Sequence, residues 1–148
     1  MSNDSVFFHI TKPDLIPVGL IFDNINNLDS YEDSSLENIL IQDLLDYFKF
    51  EDIDKVLLSL KSKMVIGGKI EIQGTDIKRL ACSICFNEIT DTLAASILYP
   101  HKKSMSTMSK IIEILKSVGF EIEIKKFINI FEYYLSCRRL LWVRKPLF

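Results

Sequence analysis

The sequence is short of the residues that staple, coordinate or carry out reactions. Its 148 residues include three cysteines, two histidines, one tryptophan, four prolines and five glycines. Three cysteines, an odd number, do not build the disulfide framework of a small secreted domain, so a reducing, cytoplasmic setting is expected. Cys82 and Cys85 form a C-x-x-C, but zinc sites need a second pair of ligands, and Cys137 stands alone. No metal is therefore expected, and the thiols are expected to pack in the core as small apolar groups. No run of about 18 apolar residues exists, so no membrane span is expected. The opening MSNDSVFFHITK lacks a basic leader and a long apolar run, unlike a signal peptide. No repeat, low-complexity tract, P-loop or Ser-His-Asp order is visible, and one domain over residues 1–148 is the simplest division.

What is there reads as an ordinary globular domain: 48% apolar and 26% charged residues. The formal net charge of −2 hides an asymmetry. Residues 1–60 carry nine Asp, three Glu and three Lys, a net −9; residues 61–148 carry the balance, +7. The two halves are expected to attract each other within one fold. No basic run is long enough to indicate a nucleic-acid partner.

Residues 6–10, 18–22 and 36–41 are short apolar runs rich in β-branched and aromatic residues, three strand candidates. Residues 49–64 read as a helix, with Ile53, Val56, Leu57 and Leu60 on one face and acids early, lysines late, as the helix dipole favours. Gly67 and Gly68 are expected to end that helix, and 69–73 alternates as a strand. Residues 76–86 form a second helix candidate capped by Thr75 or Asp76. A third, 107–118, is expected to be capped by Ser104 or Ser106 and ended by Gly119. Strands follow at 120–126 and 131–140. Strands interleaved with helices imply an α/β fold with a mostly parallel sheet, and the closing pair implies an antiparallel strand at the C-terminal edge.

Three segments, in this order, carry a resemblance. Residues 28–48 end in Leu44-Leu45-Asp46-Tyr47-Phe48, residues 49–76 run from an amphipathic helix through Gly67-Gly68-Lys69-Ile70-Glu71-Ile72 to Asp76, and residues 101–120 end in Gly119-Phe120. Together they resemble the fourth strand, the following helix–Gly-Gly–strand unit and the late helix of class I S-adenosylmethionine-dependent methyltransferases. The resemblance implies a Rossmann-like sheet flanked by helices. It also implies S-adenosylmethionine as cofactor. Asp23, at the end of the second strand, would then meet the ribose hydroxyls, since a carboxylate accepts two hydrogen bonds from a diol. Asp33 and Ser34 would meet the adenine edge. Gln42 would line the cofactor crevice at the carboxyl end of the strands. Asp43 and His101 would assist near the methyl acceptor, His101 because imidazole titrates near neutrality.

One departure from the family is expected to matter. The family bends from its first strand through a glycine-rich turn, roughly LxxGCGxG. Here that stretch is Phe8-His9-Ile10-Thr11-Lys12-Pro13-Asp14, without glycine. Its β-branched residues and proline are expected to crowd the methionine end of the cofactor. Two functions follow: a methyltransferase with an eroded cofactor loop and an unassigned acceptor, or a non-catalytic scaffold that binds a protein partner or assembles with itself. For the scaffold, the C-terminal edge is the expected contact, where Arg138, Arg139, Arg144 and Lys145 flank Leu140-Leu141-Trp142-Val143.

Overall fold

The computed structural model describes residues 5–9, 21–98 and 103–140. Six strands form one mixed sheet: β1 Ser5–His9, β2 Ile21–Asn24, β3 Leu36–Gln42, β4 Met64–Thr75, β5 Phe120–Phe127 and β6 Glu132–Arg139. Their spatial order is β2-β1-β3-β4-β6-β5. The first four are mutually parallel, while β6 runs antiparallel to both β4 and β5. The α/β, mostly parallel sheet with an antiparallel C-terminal pair is thus as the sequence implies. The outermost strand at that edge is β5, not the last strand in the chain.

Central strands have both faces covered, so they read as continuous apolar runs rather than alternating ones. In β1, Val6, Phe7 and Phe8 are all buried. In β4, alternate residues Ile70 and Ile72 point into the main core. Helix α1, Ile53–Lys63, buries Ile53, Leu57 and Leu60. Beside it, α4, Met108–Val118, buries Ile111, Leu115 and Val118. Each such side chain contributes roughly 1.5–3 kcal/mol relative to exposure. Thr107 caps α4 by accepting from the Lys110 N–H at 3.2 Å, and Gly119 closes it at φ 101°. The cap is therefore Thr107, because its extended backbone aims the hydroxyl at the third helical N–H; Ser104 and Ser106 lie too far upstream.

The glycine pair behaves differently from expectation. Helix α1 stops at Lys63, where Met64 turns extended and buries its side chain in the core. Gly67 and Gly68 lie inside β4, in a bulge where the pairing with β3 jumps from Leu36–Met64 to Asn38–Lys69. Gly67 sits at φ 79°, and a Cβ on Gly68 would lie 2.8 Å from the Val65 carbonyl. The pair is needed for a bulge at the amino end of the sheet, not for a helix cap.

Two further helices fill the stretch between β4 and α4: α2, Ile77–Cys85, and α3, Asp91–Leu98. The sequence does not announce α3, although Thr90 accepts from the Leu93 N–H at its start. On α2, both Cys82 and Cys85 are exposed; only Cys137 is buried. The expected core placement fails for the first two because α2 buries only Leu80 and Ser83.

Candidate cofactor site

In an open α/β sheet, ligands bind beyond the carboxyl ends of the strands, where strand order reverses. That point lies between β1 and β3, since β1 is followed by β2 on one side and β3 on the other. The strand ends there carry His9 on β1, Asp23 and Asn24 on β2, and Gln42 followed by Asp43 after β3. The residues after His9, including Thr11 and Pro13, lie outside the described residues.

Asp23 is held by its own chain. One carboxylate oxygen accepts from the Asn24 N–H at 2.8 Å and from Asn27 Nδ2 at 2.7 Å. The other accepts from the Tyr31 hydroxyl at 2.6 Å. Tyr31 also meets Phe8 edge-on, with ring centroids 5.5 Å apart. Local backbone geometry builds this cluster. A 3₁₀ turn, Ile25–Ser30, begins immediately after β2, capped by the Asn24 side chain, and it carries Asn27 and then Tyr31 back toward the carboxylate. The Tyr31 hydrogen bond, then that of Asn27, holds the Asp23 carboxyl below its ordinary 3.8.

Gln42 is exposed at the end of β3. Asp43 takes a left-handed backbone, φ 53°, and its N–H donates to the Gln73 carbonyl at 2.9 Å. Asp and Asn tolerate this conformation better than other residues with a Cβ. Gln42, Asp43 and Asp23 therefore share the carboxyl side of the sheet. Asp33 and Ser34 do not. They precede β3 at its amino end, where Asp33 pairs with Lys63 Nζ at 3.0 Å and the Ser34 N–H donates to the Ser62 carbonyl at 3.0 Å. The chain crosses to the opposite end of the sheet between Asn24 and Leu36, which separates these two residues from Asp23. His101 lies outside the described residues.

Sequence reasoning missed Asn27 and Tyr31. The available signal was their spacing from Asp23, four and eight residues along a turn-rich stretch. It also missed the full role of Asp76. Oδ1 accepts from the Arg79 N–H at 3.0 Å and Oδ2 from the Met108 N–H at 2.8 Å, so one carboxylate caps both α2 and α4. Among the described residues, no three His, Cys, Asp or Glu side chains stand close enough to hold a metal.

The C-terminal segment is also placed differently from expectation. Strand β6 lies inside the sheet, and its two arginines are engaged. Arg138 bonds Glu123 at 2.7 Å and the Gly67 carbonyl at 3.0 Å, and Arg139 donates to the Met64 carbonyl. The rest of the segment, from Leu141 on, lies outside the described residues.

Four parallel strands, a reversal between β1 and β3, and a returning antiparallel pair define a Rossmann-like α/β fold. At the level of sequence, no family model and no curated protein matches the chain. Solved structures do. The PH0226 protein of Pyrococcus horikoshii OT3 superposes with a TM-score of 0.62 at 16% identity, covering 81% of this chain and 58% of that one. A putative S-adenosylmethionine-dependent methyltransferase from Listeria monocytogenes gives 0.59 at 11% identity, over 93% and 81%. A putative methyltransferase of Haloferax volcanii, solved with the Trm112 methyltransferase activator, gives 0.61 at 9%, over 85% and 63%. The chain thus spans less than two thirds of the Pyrococcus and Haloferax proteins. It has the fold of the class I S-adenosylmethionine-dependent methyltransferases.

A ribose diol needs a carboxylate with free acceptor positions, and Asp23 already receives three donors of its own chain.

Proposed function

We propose that this chain is a methyltransferase-like module that has given up the family's use of S-adenosylmethionine and works by binding a protein partner or a second copy of itself. The observation that carries this reading is the Asn27–Asp23–Tyr31 cluster, which engages both oxygens of the acid expected to hold the ribose. The glycine-free stretch from Phe8 to Asp14 points the same way.

Partner binding is supported by apolar side chains left in solvent around α2, α3 and the β5–β6 turn: Phe86 (73% exposed), Leu93, Leu98, Ile128 and Ile130. A contiguous exposed apolar patch marks an interaction surface, and these five side chains are the ones such a surface would use. The Haloferax neighbour bound to an activator protein is an example of the fold working in a complex. The partner surface proposed here is this helical flank rather than the C-terminal strand. A cytoplasmic setting is proposed with it; among the described residues, no helix is long and apolar enough to cross a membrane.

A second reading retains S-adenosylmethionine-dependent methyl transfer, with Gln42 and Asp43 beside the crevice. One feature favours it: Asp23 Oδ2 accepts a single bond and keeps one acceptor position. Titration calorimetry with S-adenosylmethionine separates the two. No heat of binding in the micromolar range is expected; a micromolar dissociation constant overturns the first reading in favour of the second.

A further inference from the structure

A cleft of about 700 Å³ opens between α2, the start of α4 and the β5–β6 turn. One buried carboxylate links two sides of its frame. Asp76, 5% exposed, ties the first turns of α2 and α4 together through its two oxygens. Its negative charge faces two helix N-termini, whose partial positive charges offset it. Three charged side chains remain on the cleft: Lys78, Arg79 and Glu88. Among the described residues, Lys78 and Arg79 form no ion pair and no side-chain hydrogen bond. Arg79 is nevertheless fixed, because its guanidinium lies over the Phe127 ring, 3.6 Å from the centroid. One face of the guanidinium is spent on the ring. Its N–H edges, the part that matches carboxylate or phosphate oxygens two at a time, meet no partner among the described residues. Apolar surface from Met108, Phe127 and Ile130 lies beside these cations.

We infer that this cleft binds a small organic anion: a carboxylate or phosphate group held by Arg79 and Lys78, carried on an aromatic or apolar body that packs on Phe127, Met108 and Ile130. The site is separate from Asp23, and the inference stands whether or not S-adenosylmethionine binds.

The chain carries its own reporter. Cys82 lines the cleft, whereas Cys85, one turn further along α2, is exposed but does not line it. The rate of iodoacetamide labelling at each thiol, read by tandem mass spectrometry, is measured with phenyl phosphate, benzoate, inorganic phosphate and phenol. Phenyl phosphate or benzoate is expected to slow labelling of Cys82 several-fold and leave Cys85 unchanged; whichever protects identifies the anionic group. Arg79→Gln and Lys78→Gln, both at exposed positions, are each expected to weaken that protection while leaving the circular dichroism spectrum unaltered. Protection by neither aromatic anion, or equal slowing at both thiols, overturns the inference. So does protection by phenol or inorganic phosphate as strong as that by phenyl phosphate.

Discussion

Replacing Asp76 with alanine removes two helix caps in one step. In the folded chain, its Oδ1 and Oδ2 accept from the Arg79 and Met108 N–H groups at 3.0 and 2.8 Å, in a position 5% exposed to solvent. A single N-cap is worth about 1 kcal/mol, within a range of about 0.5–2. A charged acceptor and burial both push toward the upper end, because the orphaned N–H groups lose their partner without gaining water. Two such losses predict a destabilisation of about 2–4 kcal/mol. At roughly 2–4 °C per kcal/mol for a chain of this size, the melting temperature falls by about 5–15 °C. Thr107→Ala, which removes one hydroxyl cap from α4, provides the internal scale at about 1 kcal/mol. Urea denaturation followed by circular dichroism measures both, with the slope of the transition unchanged if the folded states are alike. An Asp76→Ala chain no less stable than Thr107→Ala refutes the double cap.

Three further outcomes rest on other contacts of the fold. A Cβ on Gly74 would lie 2.5 Å from the Tyr133 hydroxyl oxygen and 2.7 Å from its Cζ, so Gly74→Ala is expected to lose about 1–3 kcal/mol by overpacking, measured by the same denaturation; a neutral effect contradicts the close approach. The folded-state pKa of Asp23 is lowered from 3.8, so its contribution to stability is fully present above the unfolded value and is lost as pH falls from about 4 through the folded value. The stability gap between wild type and Asp23→Asn should therefore narrow on acidification in that window and stay flat from pH 5 to 7; a gap that widens in acid contradicts the assignment. Burial raises the Cys137 thiol to about 12, so native protein should label at Cys82 and Cys85 and react at Cys137 only on unfolding.

The strands were legible because β-branched and aromatic runs leave few alternatives at that length. Helices α1 and α4 were legible from their three- and four-residue spacing. Helix α3 was not, since its apolar residues cluster rather than recur and only Ala94 is buried. The glycine pair has the same composition in a helix cap and in a bulge; what decides between them is the pairing of Met64 with Leu36, a tertiary fact. Asp23 was placed correctly at the end of β2, but its engagement depends on a 3₁₀ turn that returns Tyr31 to it. Asp33 and Ser34 are close to Asp23 in sequence and lie at the other end of the sheet, because the intervening chain crosses it. Cys82 and Cys85 read as core residues by type, and only the thin contact of α2 with the rest of the fold exposes them.

Native mass spectrometry of gently purified protein, before and after saturation with S-adenosylhomocysteine, asks most directly whether the acid on β2 is closed to a nucleoside. The expected spectrum is that of the bare polypeptide in both samples, with Tyr31→Phe alone gaining any adduct. A wild-type peak heavier by one nucleoside would mean that the Asn27 and Tyr31 donors yield to a ribose and that the chain remains a cofactor-binding protein.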